Sequence, residues 1–166
     1  MNMHFMPVAE AGFKSAMANL AGAVSVVTTL SGSTRLGMTA SSVTSFSAQP
    51  PCIAVNINMA TRTGRAMRAG SPLCVNILGD QQDEIAAIFA GRADAAGDRF
   101  SAGRWHMMSS GAPALEDAIA NIDCIVEDVI ERHTHAIVLA RVIAIVSGSE
   151  RRPLLYWQRG FHSLQT

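Results

Sequence analysis

The chain is short of charge, short of aromatic rings, and carries none of the strong catalytic signatures. Of its 166 residues, 16% are charged and 5% are aromatic, with a single tyrosine. Lysine plus arginine and aspartate plus glutamate both total 13, so the net charge is zero. A neutral chain has no long-range field to draw in a polyanion, which sets aside nucleic acid and anionic membrane as main partners. No run approaches the roughly 20 apolar residues of a membrane-spanning helix. Met1 to Glu10 has no basic stretch followed by an apolar one, so no secretory signal is expected. Cysteine is sparse and odd in number. Cys52, Cys74 and Cys124 lie far apart, each inside an apolar run. They read as reduced core residues of a cytoplasmic protein, not as a disulfide framework. There is no G-x-G-x-x-G fingerprint, no G-x-x-x-x-G-K-[ST] phosphate loop, no G-x-S-x-G elbow and no cysteine pair at zinc-ribbon spacing.

What remains is a globular composition, 49% hydrophobic, of a length that suits one domain over residues 1–166. Low charge with no net sign also suggests apolar surface hidden in an oligomer. Phe13, Met17 and Leu20 recur at helical spacing, so Glu10 to Leu20 is a predicted helix ended by Gly22. Ala23 to Leu30 is β-branched and predicts a strand. Ser31-Gly32-Ser33 is a turn, and Arg35 to Thr44 returns as the second strand of a hairpin. After Pro50-Pro51, Cys52 to Asn58 is a third strand. Thr61 is a candidate N-cap for a helix to Ala69, with Gly70 as terminator. Leu73 to Leu78 is a fourth strand, and Asp80 is expected to cap a helix running to Ala90. Residues 91–111 form a connector with a short helical turn near Asp94 to Phe100. Ala118 to Glu131 alternates, which predicts a long strand with a wet face at Asn121, Asp123, Glu127 and Glu131. Ala136 to Val146 is apolar on both parities except Arg141 and predicts a deeply buried strand. Pro153 to Trp157 is a short last strand. Strands joined mostly by turns favour a mainly β fold, an antiparallel barrel with a few flanking helices.

The stretch Gly37 to Ser47 holds six hydroxyl side chains and no charge. It reads either as a polar edge strand or as a segment whose hydroxyl and backbone N–H groups surround an anion. His133 and His135 would share one face of a strand and could ligate a metal, but no third ligand is evident, so no metal site is assigned. Arg141 reads most simply as the partner of an acidic residue on the preceding strand. Trp157, Arg159, Phe161 and His162 read either as an interface or as an aromatic and cationic rim for a flat, anionic ligand.

Five ordered segments resemble one family across Phe13 to Leu164. They are Phe13 to Met17 with Ala23 to Thr29, Gly37 to Ser47 with Pro50-Pro51, Val55 to Asn58 with Thr61, Leu73 to Leu78 with Phe89-Ala90-Gly91, and His135 to Val142 with Pro153 to Trp157. The chain resembles the short-chain flavin reductases of the FMN-binding split-barrel fold, the reductase components of two-component flavin-dependent monooxygenases. It departs from the family's frequent Gly-Asp-His or Gly-Thr-His at His133-Thr134-His135, and from Gly-Glu-Val at Ala140-Arg141-Val142.

The resemblance implies an antiparallel split β-barrel and an NAD(P)H:flavin oxidoreductase, with FMN or FAD reduced by NADH or NADPH. Met38, Thr39, Ala40, Ser41, Ser42, Val43 and Ser45 would line the flavin. Asn58 and Thr61 would serve its ribityl-phosphate end, and Phe89 and Ala90 would wall the pocket. Arg62 and Arg65 would either neutralise the phosphate or stand as solvated helix charges. His135 would sit on the nicotinamide side as the catalytic residue. Tyr156, Trp157 and Arg159 would close the pocket, across the interface of a homodimer. Reduced flavin would diffuse to a partner monooxygenase. The alternatives are a retained flavin that passes electrons to a metal complex or corrinoid, and a flavin-binding module without turnover.

Overall fold

In the computed structural model, the described residues are 7–92, 97–148 and 150–164. The chain begins with helix α1 (Glu10–Met17), followed by β1 (Gly22–Ala23), β2 (Ser25–Ser31), β3 (Thr34–Ala40), β4 (Val43–Ala48) and β5 (Pro51–Asn58). Then come α2 (Arg62–Ala66), β6 (Pro72–Ile77) and α3 (Asp83–Phe89). A 3-10 turn at Arg99–Ser101 leads to β7 (Trp105–Met107) and β8 (Pro113–Leu115). The chain closes with β9 (Ala120–Arg132), β10 (His135–Ser147), β11 (Leu154–Trp157) and β12 (Gly160–Ser163).

Seven strands pair antiparallel in the order β3-β2-β6-β9-β10-β5-β4. β3 and β4 lie at opposite edges of this sheet, yet only Ser41 and Ser42 separate them in sequence. Laid flat, six strand spacings would put the edges about 29 Å apart. Three Cα steps reach at most about 11 Å. The sheet must therefore curl until its edges meet, which makes the barrel. The corner is fastened where the Asn56 N–H donates to the Ser42 carbonyl (3.2 Å) and the Ser42 hydroxyl donates to the Asn56 carbonyl (3.1 Å).

Inside the barrel, Val27, Val55, Ile57, Leu73, Val75 and Val138 form the centre of one apolar core. Each such side chain contributes roughly 1.5–3 kcal/mol by leaving water. A second core lies outside it, where Val24, Val26, Leu78, Ala86, Phe89 and Leu154 pack under α3 and the small sheet β1-β11-β12. The three cysteines are free and buried. Burial, with Asp123 close by, raises the Cys74 thiol pKa strongly and pushes that of Cys124 up to about 12. No helix among the described residues is long and apolar enough to cross a membrane.

Several expectations need correction. The hydroxyl-rich strand is not continuous to Thr44; it breaks at the Ser41–Ser42 corner. Gly22 opens β1 instead of merely stopping α1, and α1 buries no residue, so its apolar stripe has no cover within one chain. Asp80 does not cap α3. That helix starts later, and the Gln82 side chain instead accepts from the Gly79 N–H. The expected turn at Asp94 to Phe100 is a 3-10 turn at Arg99–Ser101, and residues 93–96 lie outside the described set. The wet face of β9 begins only at Glu127. Asn121 and Asp123 are buried because the β7–β8 hairpin folds over them. Asn121 donates to Asn76 Oδ1 and to the Leu115 carbonyl, while Asp123 accepts from the Ser110 N–H (2.9 Å) and the Ser110 hydroxyl. The deep burial expected for β10 on both parities holds only for Ala136, Val138 and Ala140, since Ile137, Ile143, Ile145 and Val146 are exposed. β12 has no counterpart among the strands expected from sequence. Arg141 does pair with an acidic residue of the preceding strand, Glu127, at 3.0 Å.

Asp123→Ala removes the acceptor for two Ser110 donors and should cost about 1–3 kcal/mol. Thermal unfolding should shift by about 2–4 °C per kcal/mol lost, with Asp123→Asn recovering part of it. An unchanged melting temperature would show that the hairpin is held by its apolar contacts alone.

Candidate functional site

The site starts from the alternation of β3. Even-numbered residues Met38 and Ala40 pack on the barrel core, while Arg35, Gly37 and Thr39 face the other way, towards α3 and its aromatic neighbours. The Thr39 hydroxyl donates to the Ala86 carbonyl (2.7 Å) and ties the helix to the strand. Gly37 lets Phe89 lie directly on the strand, because a Cβ there would stand 2.7 Å from the ring. Phe89 meets Phe100 edge-on at 5.2 Å and Trp105 at 5.3 Å. Arg35 lies 4.6 Å from the Phe100 ring centre and bonds Asp98 at 2.6 Å. The segment ending at Phe100 is thereby held against β3.

Between β3, the start of α2 and the end of α3 runs a cleft of about 460 Å³, within the range of small-molecule sites. Leu36, Met38, Phe89 and Phe100 supply apolar wall, and Thr39, Thr61 and Arg62 supply polar groups. Thr61 is the N-cap of α2, as expected from sequence. Its hydroxyl accepts from the Gly64 N–H (2.9 Å) and donates to the Asn58 carbonyl (2.7 Å). A smaller cavity of about 150 Å³ shares Thr39 and Ala90 with the cleft and adds Val24, Ser41, Arg92, Tyr156 and Phe161. There the Arg92 guanidinium donates to the Tyr156 hydroxyl (2.7 Å) and lies 5.2 Å and 5.9 Å from the Tyr156 and Phe161 ring centres. A third, open groove of about 730 Å³ continues from Ser41 and Tyr156 past Ser42, Val43 and Arg159 to the apolar stripe of α1.

The structure thus gathers most of the residues singled out in the sequence. Met38, Thr39, Thr61, Arg62, Phe89 and Ala90 line the cleft, Ser41 and Tyr156 link it to the outer groove, and Ser42, Val43 and Arg159 line that groove. Ala40 is buried in the barrel core, so it contributes backbone and smallness. Ser45 and Trp157 are exposed and line none of these spaces, and Trp157 packs edge-on with His162. Arg65 lines a neighbouring groove and not the cleft. Asn58 turns its Oδ1 to the Ala60 N–H (2.9 Å). His135 opens β10 directly opposite Asn58 in the ladder, exposed, with its Nδ1 2.8 Å from the Thr134 hydroxyl. It adjoins the Thr61 end without lining the cleft. His133 is not on a strand face with it, because His133 and Thr134 form the two-residue turn between β9 and β10 and His133 has a φ of 55°.

Sequence reading missed Arg35, Arg92, Asp98 and Phe100, whereas Phe161, singled out as part of an aromatic rim, does line the smaller cavity. Arg35 and Arg92 abut segments already singled out. Asp98 and Phe100 come from a connector without periodicity, and only contact through space reveals their role.

The chain is similar in sequence and in fold to known proteins. The chain is 38% identical over 162 residues to a protein of Methylorubrum extorquens named FMN reductase (NADH) RutF 1, covering 96% of this chain and 79% of that one. Its structure superposes with a TM-score of 0.84 on the NADH:FAD oxidoreductase SgcE6 of Streptomyces globisporus, solved in complex with NAD and FAD fragments, at 28% identity and over 93% of this chain and 92% of that one. BorF, the flavin reductase component of a bacterial two-component tryptophan halogenase, matches with a TM-score of 0.83 at 25% identity, over 95% of this chain and 99% of that one. The flavin reductase like domain matches residues 17–165, and the chain belongs to that family.

Proposed function

We propose that the protein is an NAD(P)H-dependent flavin reductase that transfers hydride to FMN or FAD and supplies reduced flavin to a separate oxygenase or halogenase. The observation that carries this reading is the pair of adjoining cavities that run from Thr61 and Arg62, past Thr39 and Ala90, to Ser41 and Tyr156. It has a cationic, hydroxyl-bearing end and a flat, small-residued middle, which fits a phosphate at one end and a planar ring system beyond it. A bound flavin supplies the redox chemistry, accepting a hydride from the nicotinamide C4 at its N5.

The chain's own work is to bind, orient and shield. Arg62 takes the ribityl phosphate with charge-assisted hydrogen bonds from its guanidinium, and Thr61 positions it by capping α2. Met38 and Phe89 provide apolar wall, and Gly37 keeps that wall close to the strand. Ser41 and Ser42 offer hydroxyl and backbone groups at the barrel corner while leaving room above it. His135, one strand over from Asn58, orients the nicotinamide dinucleotide. Tyr156, with Arg92 laid across it, borders the far end. No acid–base dyad is required, because hydride transfer between two held rings depends on their contact and orientation.

A homodimer completes the reading. Phe13, Met17 and Leu20, on and just after α1, and Ile143, Ile145 and Val146 on β10, are exposed apolar side chains that a second copy would cover. Three reduced, buried thiols support a cytoplasmic setting.

Mixing the protein with NADH or NADPH and FMN or FAD should give flavin-dependent nicotinamide oxidation, and absence of turnover with every pairing sinks the reading. In that assay His135→Ala should lower the rate more than it weakens flavin binding. Equal binding and equal turnover would remove its role.

Arg62→Gln should weaken FMN binding by about tenfold, the loss of one hydrogen bond to a charged group, while leaving riboflavin binding nearly unchanged. Equal losses for the two flavins would place the phosphate elsewhere.

Sedimentation should report twice the 17.6 kDa chain mass, and Ile145→Arg should return the monomer. A wild-type monomer at micromolar concentration would contradict the dimer.

A further inference from the structure

Beside the cleft lies a groove of about 350 Å³, lined by Ser31, Thr34, Leu36 and the arginines Arg62, Arg65 and Arg68. It shares Thr34, Leu36 and Arg62 with the cleft, so the two spaces adjoin. Among the described residues, these three guanidinium groups have neither a carboxylate partner nor a hydrogen bond. Arg35, Arg104 and Arg141, by contrast, each sit against a carboxylate. A chain with no net charge therefore gathers three uncompensated positive charges along one short stretch. Arg62 and Arg65 stand three residues apart on α2, a spacing that puts them on one face, and Arg68 follows just past its end. Like charges so placed repel one another, and an anion set among them relieves the repulsion and gains paired hydrogen bonds from the guanidinium forks.

We propose that this groove receives the adenylate half of FAD, and that Arg65 and Arg68 make the protein bind FAD in preference to FMN. The proposal rests on the reading of the cleft as the flavin site. In that reading Arg62, positioned by the Thr61 cap, holds the phosphate that FMN and FAD share. The second phosphate of FAD is joined to the first by one bridging oxygen, so it must emerge next to Arg62. Arg65 is the neighbouring cation on the same helix face, and Arg68 extends the basic wall for the nucleotide beyond. FMN ends at Arg62 and leaves the other two arginines unused.

The test is to titrate wild type and the Arg65→Gln/Arg68→Gln variant with riboflavin, FMN and FAD, following flavin fluorescence. The variant should bind FAD about tenfold more weakly or worse, and FMN less than about threefold more weakly, since two charge-assisted contacts are lost only for FAD. Retained FMN binding also certifies the variant's fold. Added salt should weaken wild-type binding of FAD more steeply than of FMN. Equal losses for FAD and FMN, no loss for either, or identical salt dependence overturns the proposal. So does a variant whose KM for NADPH rises while its FAD affinity holds, because the groove would then serve the donor's 2′-phosphate. A wild type that binds FMN normally but FAD no more tightly overturns the groove's role alone. A wild type that binds no flavin overturns the cleft reading beneath it as well.

Discussion

A two-residue link between opposite edges of a seven-stranded sheet is the constraint from which the rest of the molecule follows. Ser41 and Ser42 force β3 and β4 together, and the sheet has no choice but to close. Closure gives the inner core its shape and draws together two sheet edges that would otherwise stand apart and invite other chains. It also fixes what stands at the corner. Small hydroxyl side chains fit where two strand ends converge, and Gly22 runs so near that a Cβ would lie 2.7 Å from the Ser41 carbonyl oxygen. The groups that face the ligand path are thus the same groups that permit the turn.

The division of labour along β3 extends this economy. One parity belongs to the barrel and the other to α3, so a single strand connects the structural core to the candidate site. Thr39 anchors the helix, Gly37 sets its distance, and Arg35 holds the Phe100 segment by charge and by its ring face. The polar groups buried elsewhere are satisfied with similar completeness. Asn76, Asn121 and Thr28 bond one another or nearby carbonyls beneath the β7–β8 hairpin, where an unpaired group would carry its full desolvation cost. The three arginines beside the cleft differ from this background in being gathered on one short stretch with no carboxylate of the described chain paired to them.

Much of the fold was legible in sequence wherever burial follows a simple period. The β2–β3 hairpin, β5, β6 and the Thr61 cap were readable because their hydrophobic alternation and punctuating residues act locally. Asn121 and Asp123 misled because polar residues usually mark a wet face, and only the distant β7–β8 hairpin makes theirs dry. β10 misled in the opposite sense. Its apolar second half promised burial that one chain does not provide. Within the candidate site, residues in the ordered segments were recoverable from the flavin reductase resemblance. Arg92, Asp98 and Phe100 were not, since no spacing rule links them to β3. Ser45 and Trp157 carried the right chemistry in the right neighbourhood but face away from every cavity described.

The β9–β10 hairpin bears on how such a chain assembles. Its thirteen-residue strands are joined by two residues, so their pairing closes almost no loop and can zip from the turn outward. Their other ladder partners are β5 and β6, far upstream in the chain. The hairpin is therefore the ready-made template on which the earlier strands must dock, at a growing entropic cost. The corner that closes the barrel is local in sequence yet depends on both edges being in place. A chain emerging N-terminus first holds β3 and β4 on either side of that corner long before it holds β9 and β10, the strands that complete the ring between them.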